Sequence, residues 1–178
     1  MTSLASLVGK ELQFVQPSIW KREYELRTEE GESIGTVKST KVLRWQVLAQ
    51  MGEQSWVFEE KGFWKRTLMV RNPEKEKPFA SMETGLFRLI WKIKLPRYRV
   101  LRMKRDRLGT SYSITTTMNT ELCSLKVRIF PKFRAAVTIQ KRAEEYPELP
   151  WLILFLCMVS LRNQRNSRSA ATHAPLTS

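Results

Sequence analysis

The chain has 178 residues, and its 31 Lys and Arg against 17 Asp and Glu give a formal net charge of +14. Residues 84–142 carry 15 basic and two acidic side chains, so this stretch alone supplies +13 of that charge. A hydrophobic content of 42%, with six Trp and eight Phe, is enough to build a core and excludes wholesale disorder.

Cysteine and histidine are too few for the common catalytic and metal-binding sites. Cys123 and Cys157 each lie among apolar residues, so we interpret them as buried hydrophobes rather than as a disulfide framework or zinc ligands. The single histidine, His173, lies in a polar tail. The sequence has no Gly-rich phosphate loop and no calcium-loop spacing. We therefore expect a non-enzymatic protein that uses no cofactor and no metal.

The first residues of the chain bear on its location. Residues 1–9 lack a basic segment, and their apolar stretch is broken by Lys10 and Glu11. Because this pattern does not match a secretory signal peptide, we expect an intracellular, cytoplasmic protein, with the inner face of the membrane as a peripheral location.

Alternation of apolar and polar residues, interrupted by turn residues, dominates from about residue 12 to residue 141. The longest alternation, Leu86–Leu95, places Trp91 on one face and Lys92 on the other, and it ends at Pro96. Ten to twelve short strands at this spacing are typical of a sandwich or a barrel. Strands are predicted at Lys21–Arg27, Ile34–Lys38, Val42–Ala49, Ser55–Glu59, Phe63–Arg71, Phe79–Glu83, Leu86–Leu95, Tyr98–Arg105, Ser111–Met118, Leu122–Phe130 and Phe133–Lys141.

Thirteen consecutive residues without a charge lie between Glu148 and Arg162. A stretch that is apolar on every side predicts a helix with no solvent-facing surface, over about residues 149–162. Thirteen residues span only about 20 Å, whereas the hydrocarbon core of a bilayer is about 30 Å thick. The length therefore favours a core helix, and a membrane anchor through residues 149–161 is kept as an alternative. We expect residues 163–178 to form a disordered tail.

A core helix without a solvent face must be surrounded on all sides. A sandwich covers only one or two sides, and an eight-stranded barrel is already filled by its own side chains. A closed barrel of eleven or twelve strands can admit a helix about 10 Å across. The predicted fold is therefore all-β with one helix, a closed antiparallel barrel of about twelve strands over residues 12–162, following a lead of residues 1–11. The residues expected to form the central helix are Trp151, Leu152, Leu154, Phe155, Met158 and Leu161.

Three motifs carry a resemblance to a known family. They are Trp20-Lys21-Arg22-Glu23-Tyr24-Glu25-Leu26, then Trp56-Val57-Phe58 with Gly62-Phe63-Trp64-Lys65-Arg66 and Val70-Arg71, and finally Pro147-Glu148-Leu149-Pro150-Trp151-Leu152. In this order and spacing the chain resembles the tubby C-terminal-like superfamily, which groups tubby domains, phospholipid scramblases and LURP-one-related proteins, and it looks closest to small bacterial members. The resemblance implies a twelve-stranded barrel around a central C-terminal helix. It also implies a link to phospholipids, because tubby domains bind phosphoinositides and scramblases act at membranes.

Residues 86–107 concentrate the positive charge, with nine basic side chains against Asp106. One interpretation is that these side chains form the solvated outer face of two strands, where Lys and Arg discourage edge pairing. The other is that they bind an anionic surface. The candidate lipid- or anion-binding residues are Arg88, Lys92, Lys94, Arg97, Arg99, Arg102, Lys104, Arg105 and Arg107.

Two functional hypotheses follow from the basic stretch. The first is peripheral binding to acidic phospholipids, since each basic residue near an anionic leaflet contributes about 1 kcal/mol. The second is nucleic-acid binding, which the calculated pI of 10.2 also suits. Against the second, Trp91 and Tyr98 are the only aromatic residues close enough to stack on bases, and Trp91 is on the apolar face. A purely structural or scaffold role stays open beside them.

Overall fold

The computed structural model describes residues 7–18, 22–40, 45–62, 66–84, 89–128 and 133–172, with side chains as far as residue 165. The described chain forms twelve β-strands followed by one long helix. The strands are β1 Glu11–Val15, β2 Glu23–Arg27, β3 Ser33–Ser39, β4 Gln46–Met51, β5 Gln54–Lys61, β6 Thr67–Arg71, β7 Ala80–Glu83, β8 Ile90–Lys94, β9 Val100–Arg105, β10 Ser111–Thr115, β11 Glu121–Arg128 and β12 Arg134–Ile139. The helix, α1, is Leu149–Thr172.

Every strand pairs antiparallel with the strands before and after it in the chain, and β1 pairs with β12. In that closing pair, Glu11 lies opposite Thr138 and Val15 lies opposite Arg134. The sheet is therefore a closed barrel of twelve strands, which confirms the predicted fold class. Closure also removes the exposed sheet edges that would otherwise invite pairing with another chain.

Alternation along each strand separates a lumen from an outer surface. Leu12 and Phe14 of β1 and Leu26 of β2 are 0% exposed, while their sequence neighbours face solvent in whole or in part. Phe14 stacks on Tyr24 with 5.5 Å between ring centroids. The inward residues form one continuous hydrophobic core with the helix.

The apolar part of α1 fills the lumen. All residues from Trp151 to Leu161 are at most 4% exposed, so the helix is covered on every side. Two aromatic side chains meet it edge to face, with centroid distances of 5.3 Å for Phe58 of β5 to Phe155 and 5.7 Å for Phe79, just before β7, to Trp151. The six residues expected to form the central helix are all buried here: Trp151, Leu152, Leu154, Phe155, Met158 and Leu161. Among the described residues, no helix has both the length and the apolar character needed to span a membrane.

Gly35 of β3 is the point of closest approach between sheet and helix. A Cβ atom at this position would lie 3.2 Å from Leu154 Cδ2 and 3.3 Å from the carbonyl oxygen of Gln50. A side chain at position 35 would therefore force the helix that passes behind the strand, or the neighbouring β4, to shift by a few tenths of an ångström, although the backbone of Gly35 does not adopt a left-handed conformation.

Several element boundaries differ from the prediction. The helix runs to Thr172, so residues 163–172 are helical where the sequence predicted a disordered tail. The predicted end followed the change to polar residues at Arg162, but no Gly or Pro interrupts residues 163–172. The barrel also holds the first polar turn, where the Gln164 side-chain amide donates to the carbonyl of Gly109 at 2.6 Å. Residues 173–178 lie outside the described residues.

Segments that flank the strands also adopt defined structure. Within the expected N-terminal lead, Leu7 is buried and the amide of Gly9 donates to the carbonyl of Ile139 at 3.1 Å. Two short 3-10 helices, Pro96–Tyr98 and Lys141–Glu145, each include one terminal residue of a predicted strand, Tyr98 in the first and Lys141 in the second. In the first of them Arg97 and Tyr98 have positive φ angles, which turn the chain sharply from β8 into β9.

The direction of α1 gives the barrel two distinct ends. At the proximal end, where α1 begins, Leu149 follows the 3-10 helix Lys141–Glu145. At the distal end, where α1 leaves the barrel, Arg162 bonds Glu60 of β5 at 2.6 Å and Arg165 bonds the hydroxyl of Tyr24 on β2. Burial raises the pKa of Tyr24, and the charge of Arg165 opposes that rise. These contacts fix the axial position of the helix in the lumen.

Candidate anion-binding surface

Two neighbouring strands present basic side chains to the outside of the barrel. On β8, Trp91 and Ile93 are buried, so Lys92 and Lys94 point outward. On β9, the buried Leu101 and Met103 likewise turn the intervening side chains outward. We call the resulting surface the basic strand face and define it as Lys92, Lys94, Arg102 and Lys104.

Like charges lie directly opposite each other on this face. Lys92 of β8 is the cross-strand partner of Arg102 of β9. Like charges in this arrangement destabilise a sheet by a few tenths of a kcal/mol up to about 1 kcal/mol. No acidic side chain within the described residues pairs with either of them, whereas Lys94 bonds Glu83 at 2.9 Å and Lys104 bonds Asn119 at 3.0 Å. The centre of the face is therefore two adjacent cations without a counter-charge.

The positive surface continues around the barrel beyond the predicted segment. The outward residues of β10 are Ser111 and Ser113, which are neutral. On the far side of β10, Arg128 of β11 lies opposite Arg134 of β12, a second like-charged pair that is exposed on both strands. Lys126 of β11 faces outward beside them. Sequence reasoning missed these three residues, although they belong to the same highly charged stretch 84–142.

Four of the nine candidate residues lie away from the basic strand face. Arg99 pairs with Glu148, just before α1, so its charge helps to fix the start of the helix. Arg97 lies in the proximal 3-10 helix and Arg107 in the distal turn between β9 and β10, and both are exposed. Arg105 follows the inward alternation of β9, with its guanidinium 5.8 Å from the ring centroid of Trp91. Arg88 lies outside the described residues.

Arg105 is part of a polar cluster at the distal end of the lumen. Its strand partner Tyr112 is 2% exposed, and burial raises the pKa of that phenol, while Asn163 of α1 and Arg105 oppose the rise. Because Arg105 lies against the ring of Trp91 and beside Tyr112, its guanidinium belongs to the distal mouth of the lumen and not to the basic strand face.

Asp106, the one acid in the basic segment, shapes the turn after β9. Its Oδ1 accepts the amides of Thr110 at 2.8 Å and Ser111 at 3.0 Å, and its Oδ2 accepts the Thr110 hydroxyl at 2.8 Å. Burial acts to raise its pKa, but these hydrogen bonds outweigh it and hold the pKa of the carboxyl below its ordinary value. The carboxylate is therefore committed to the turn and is not paired with the neighbouring cations.

The distal end next to the basic strand face carries exposed apolar side chains. Ile90 at the start of β8 is 54% exposed, and Leu108 in the turn between β9 and β10 is 85% exposed. Leu89, at 37%, lies at the same rim, where its carbonyl accepts the amide of Arg105 at 2.8 Å. We call these three residues the distal apolar tip.

Two cavities lie away from the basic strand face. An open groove of about 670 Å³ runs along β3 and β4 and reaches Pro150, and a second of about 450 Å³ lies among Trp56, Phe79 and Trp151 at the proximal end. In the part of the chain that the structure describes, no group of three or more His, Cys, Asp or Glu side chains is arranged to hold a metal ion.

Comparisons with protein-family models, with curated proteins and with solved structures return no match to this chain. The motif residues Trp20 and Lys21, together with 63–65, lie outside the described residues. A function for the chain therefore has to be argued from its own surface.

Proposed function

We propose that the protein is a non-enzymatic module of the tubby-like type that binds acidic phospholipids at a membrane surface through the basic strand face. The observation that carries the proposal is the direct opposition of Lys92 and Arg102 without an acidic partner among the described residues. A pair of this kind lowers the stability of the sheet. An anionic ligand would remove that penalty, so the arrangement favours a surface built to meet negative charge.

The distribution of charge supports a broad anionic partner over a small one. The basic strand face lies on the convex outside of the barrel, and neither of the two cavities described above is lined by its residues. Lys126, Arg128 and Arg134 extend the positive surface across β11 and β12. A membrane leaflet presents many phosphates at once, so these separate cations would act together, each contributing about 1 kcal/mol.

Nucleic acid is the alternative anionic partner, and the outer surface offers it little to stack on. Trp91, one of the two aromatic residues considered for this role, is 4% exposed and faces the lumen. Tyr98 is fully exposed, but it lies at the proximal end in the 3-10 helix. Single-strand binding proteins combine a basic groove with aromatic platforms, and the basic strand face presents no aromatic side chain within the described residues.

Flotation with two kinds of vesicle tests the proposal. We expect the full chain to float with vesicles of phosphatidylserine and phosphatidylcholine at low salt and to remain unbound with phosphatidylcholine alone. The double variant Lys92→Gln/Arg102→Gln should bind the anionic vesicles about thirtyfold more weakly, because it removes two contacts of about 1 kcal/mol each.

Lys75→Gln/Lys77→Gln is the matched control, since it removes the same charge from the exposed loop between β6 and β7. The control should retain most of the binding. Equal binding to both vesicle types, no binding at low salt, or equal losses in the two variants would refute the proposal. If the chain does not bind vesicles but shifts the electrophoretic mobility of oligonucleotides in a salt-sensitive way, the result would select the nucleic-acid alternative.

A further inference from the structure

We infer that the protein meets the bilayer with the β8–β9 side of the distal end of its barrel, inserting the distal apolar tip between lipid headgroups while the basic strand face contacts their phosphates. The barrel axis is tilted in this orientation, so that α1, which continues beyond the distal rim to Thr172, stays clear of the headgroups. This inference rests on the proposed function and adds an orientation and an apolar contact to it. It concerns Leu89, Ile90 and Leu108, which that function does not use.

The tip is apolar where the surrounding surface is basic. Leu108 is 85% exposed and follows directly after Arg107, which is also exposed. Ile90 is the outward residue of β8 closest to the distal end, and its cross-strand partner is Lys104. Large apolar side chains this exposed mark an interaction site when polar residues surround them.

Register places the tip and the cations at different depths. Ile90 and Lys104 form the most distal outward row, and Lys92 with Arg102 forms the next. Two residues along a strand span about 7 Å, or about 5 Å along the axis of a barrel whose strands tilt by about 40°. Apolar faces of interfacial elements lie about 5–10 Å deep in the headgroup region. Insertion of the tip would therefore bring the Lys92–Arg102 pair to the level of the phosphates.

The acids nearest to the tip do not oppose this approach. Asp106 is held by the donors of Thr110 and Ser111, and Glu83 is paired with Lys94. The distal rim therefore combines exposed hydrocarbon with uncompensated positive charge. A nucleic acid would satisfy only the charge, and a second copy of this chain would bring like charge against like, whereas an anionic bilayer satisfies both.

Removal of the apolar groups separates this inference from the proposed function. We expect Ile90→Ser/Leu108→Ser to lower the affinity for phosphatidylserine-containing vesicles about tenfold or more, with the charge of the protein unchanged. Tyr98→Ser/Met118→Ser is the matched control, because these two side chains are 101% and 89% exposed and lie at the proximal end. The control should bind as the wild type does.

A fluorescent label reports the orientation directly. Both native thiols are fully buried, so a cysteine introduced by Leu108→Cys or Met118→Cys can be labelled selectively. On phosphatidylserine-containing vesicles, the label at 108 should shift to the blue and be quenched by nitroxides on the acyl chains, and the label at 118 should not.

Each outcome has one meaning. If the wild type fails to bind anionic vesicles, the proposed function fails and the inference falls with it. If the wild type binds but the label at 108 stays in water, or Ile90→Ser/Leu108→Ser binds unchanged, only the inference is overturned. A wild-type dimer that this variant dissociates without loss of vesicle binding would assign the tip to a second copy and overturn the inference in the same way.

Discussion

Replacement of Gly35 and Leu154 together should be less harmful than the two single replacements predict. A methyl group at position 35 would lie 3.2 Å from Leu154 Cδ2, 3.3 Å from the Gln50 carbonyl oxygen and 3.4 Å from Met51 Cε. Contacts this tight force neighbours to move, so Gly35→Ala should cost about 1–3 kcal/mol of unfolding free energy. Leu154 is completely buried, and Leu154→Ala should cost about 2–5 kcal/mol.

In the double variant the new methyl group enters the space that the leucine leaves. The total loss should therefore be about 1 kcal/mol smaller than the sum of the single losses, within the range found for residues in contact. Urea denaturation followed by tryptophan fluorescence measures all three free energies.

Leu101→Ala provides the control for this cycle. Leu101 is buried on β9, which lies six strands from β3 in either direction around the barrel. Its combination with Gly35→Ala should be additive within about 0.5 kcal/mol, as expected for distant sites. If the cycle of Gly35 and Leu154 is also additive within that margin, α1 does not pass Gly35 in the register described here.

Three further predictions concern the distal contacts, the turn after β9 and the lumen. Glu60→Gln should cost about 3 kcal/mol in urea denaturation, because it leaves the largely buried guanidinium of Arg162 without its partner. Arg162→Met should cost less, because Glu60 keeps a second cation, Arg66, at 3.6 Å, and Glu60→Leu/Arg162→Met should cost less than Glu60→Gln. Asp106→Asn should be less stable than the wild type at neutral pH by about 1–3 kcal/mol. This difference in unfolding free energy should disappear as the pH falls below 3.8, the ordinary pKa of an aspartate, because the carboxylate of Asp106 loses its stabilising effect as it is protonated through its lowered folded-state pKa. A difference that stays constant with pH would contradict this account. Cys123 and Cys157 should not react with a thiol reagent in the folded protein at about pH 8, since burial raises the pKa of both thiols, that of Cys123 to about 12, and both should react in denaturant; rapid labelling of the native chain would argue against a closed lumen.

The closed barrel could be predicted from the requirements of one segment of the sequence. The uncharged segment 149–161 is too short to cross a bilayer and has no polar side, so it needs cover all around, and only a wide closed sheet provides that cover. The alternation in Leu86–Leu95 also fixed the correct inward face for Trp91 and Ile93. These features depend on burial alone, which hydrophobic patterns report directly.

The parts of the candidate surface that sequence reasoning misplaced depend on three-dimensional position. Arg105 is basic and lies on a strand, yet it points inward, because the distal mouth of the lumen provides Trp91 and Tyr112 to receive a guanidinium. The register of the twelve strands decides whether a position lies at the mouth or in the middle of the barrel. Amino-acid composition carries no information about that register. Arg128 and Arg134 were overlooked because the neutral β10 separates them from the predicted segment, although consecutive pairing brings them to the same side.

The end of α1 was misplaced for a different reason. A change from apolar to polar residues marks where burial ends, and at Arg162 it does so correctly, since exposure begins there. A helix can continue into solvent when no breaker stops it and when barrel residues hold its first polar turn, as Gly109 holds Gln164. The end of burial and the end of a helix are therefore indicated by different sequence features, and this sequence has a strong feature only for the end of burial.

The order of elements along the chain has a consequence for how the protein is made. The segment that fills the lumen follows all twelve strands, and the strand that closes the ring, β12, comes only shortly before it. During synthesis from the N-terminus, eleven strands therefore leave the ribosome with their inward apolar residues still lacking a partner. Because a structure built on pairing between the first and last strands folds slowly, and unpaired strands aggregate easily, this nascent chain should depend on chaperones until α1 is complete.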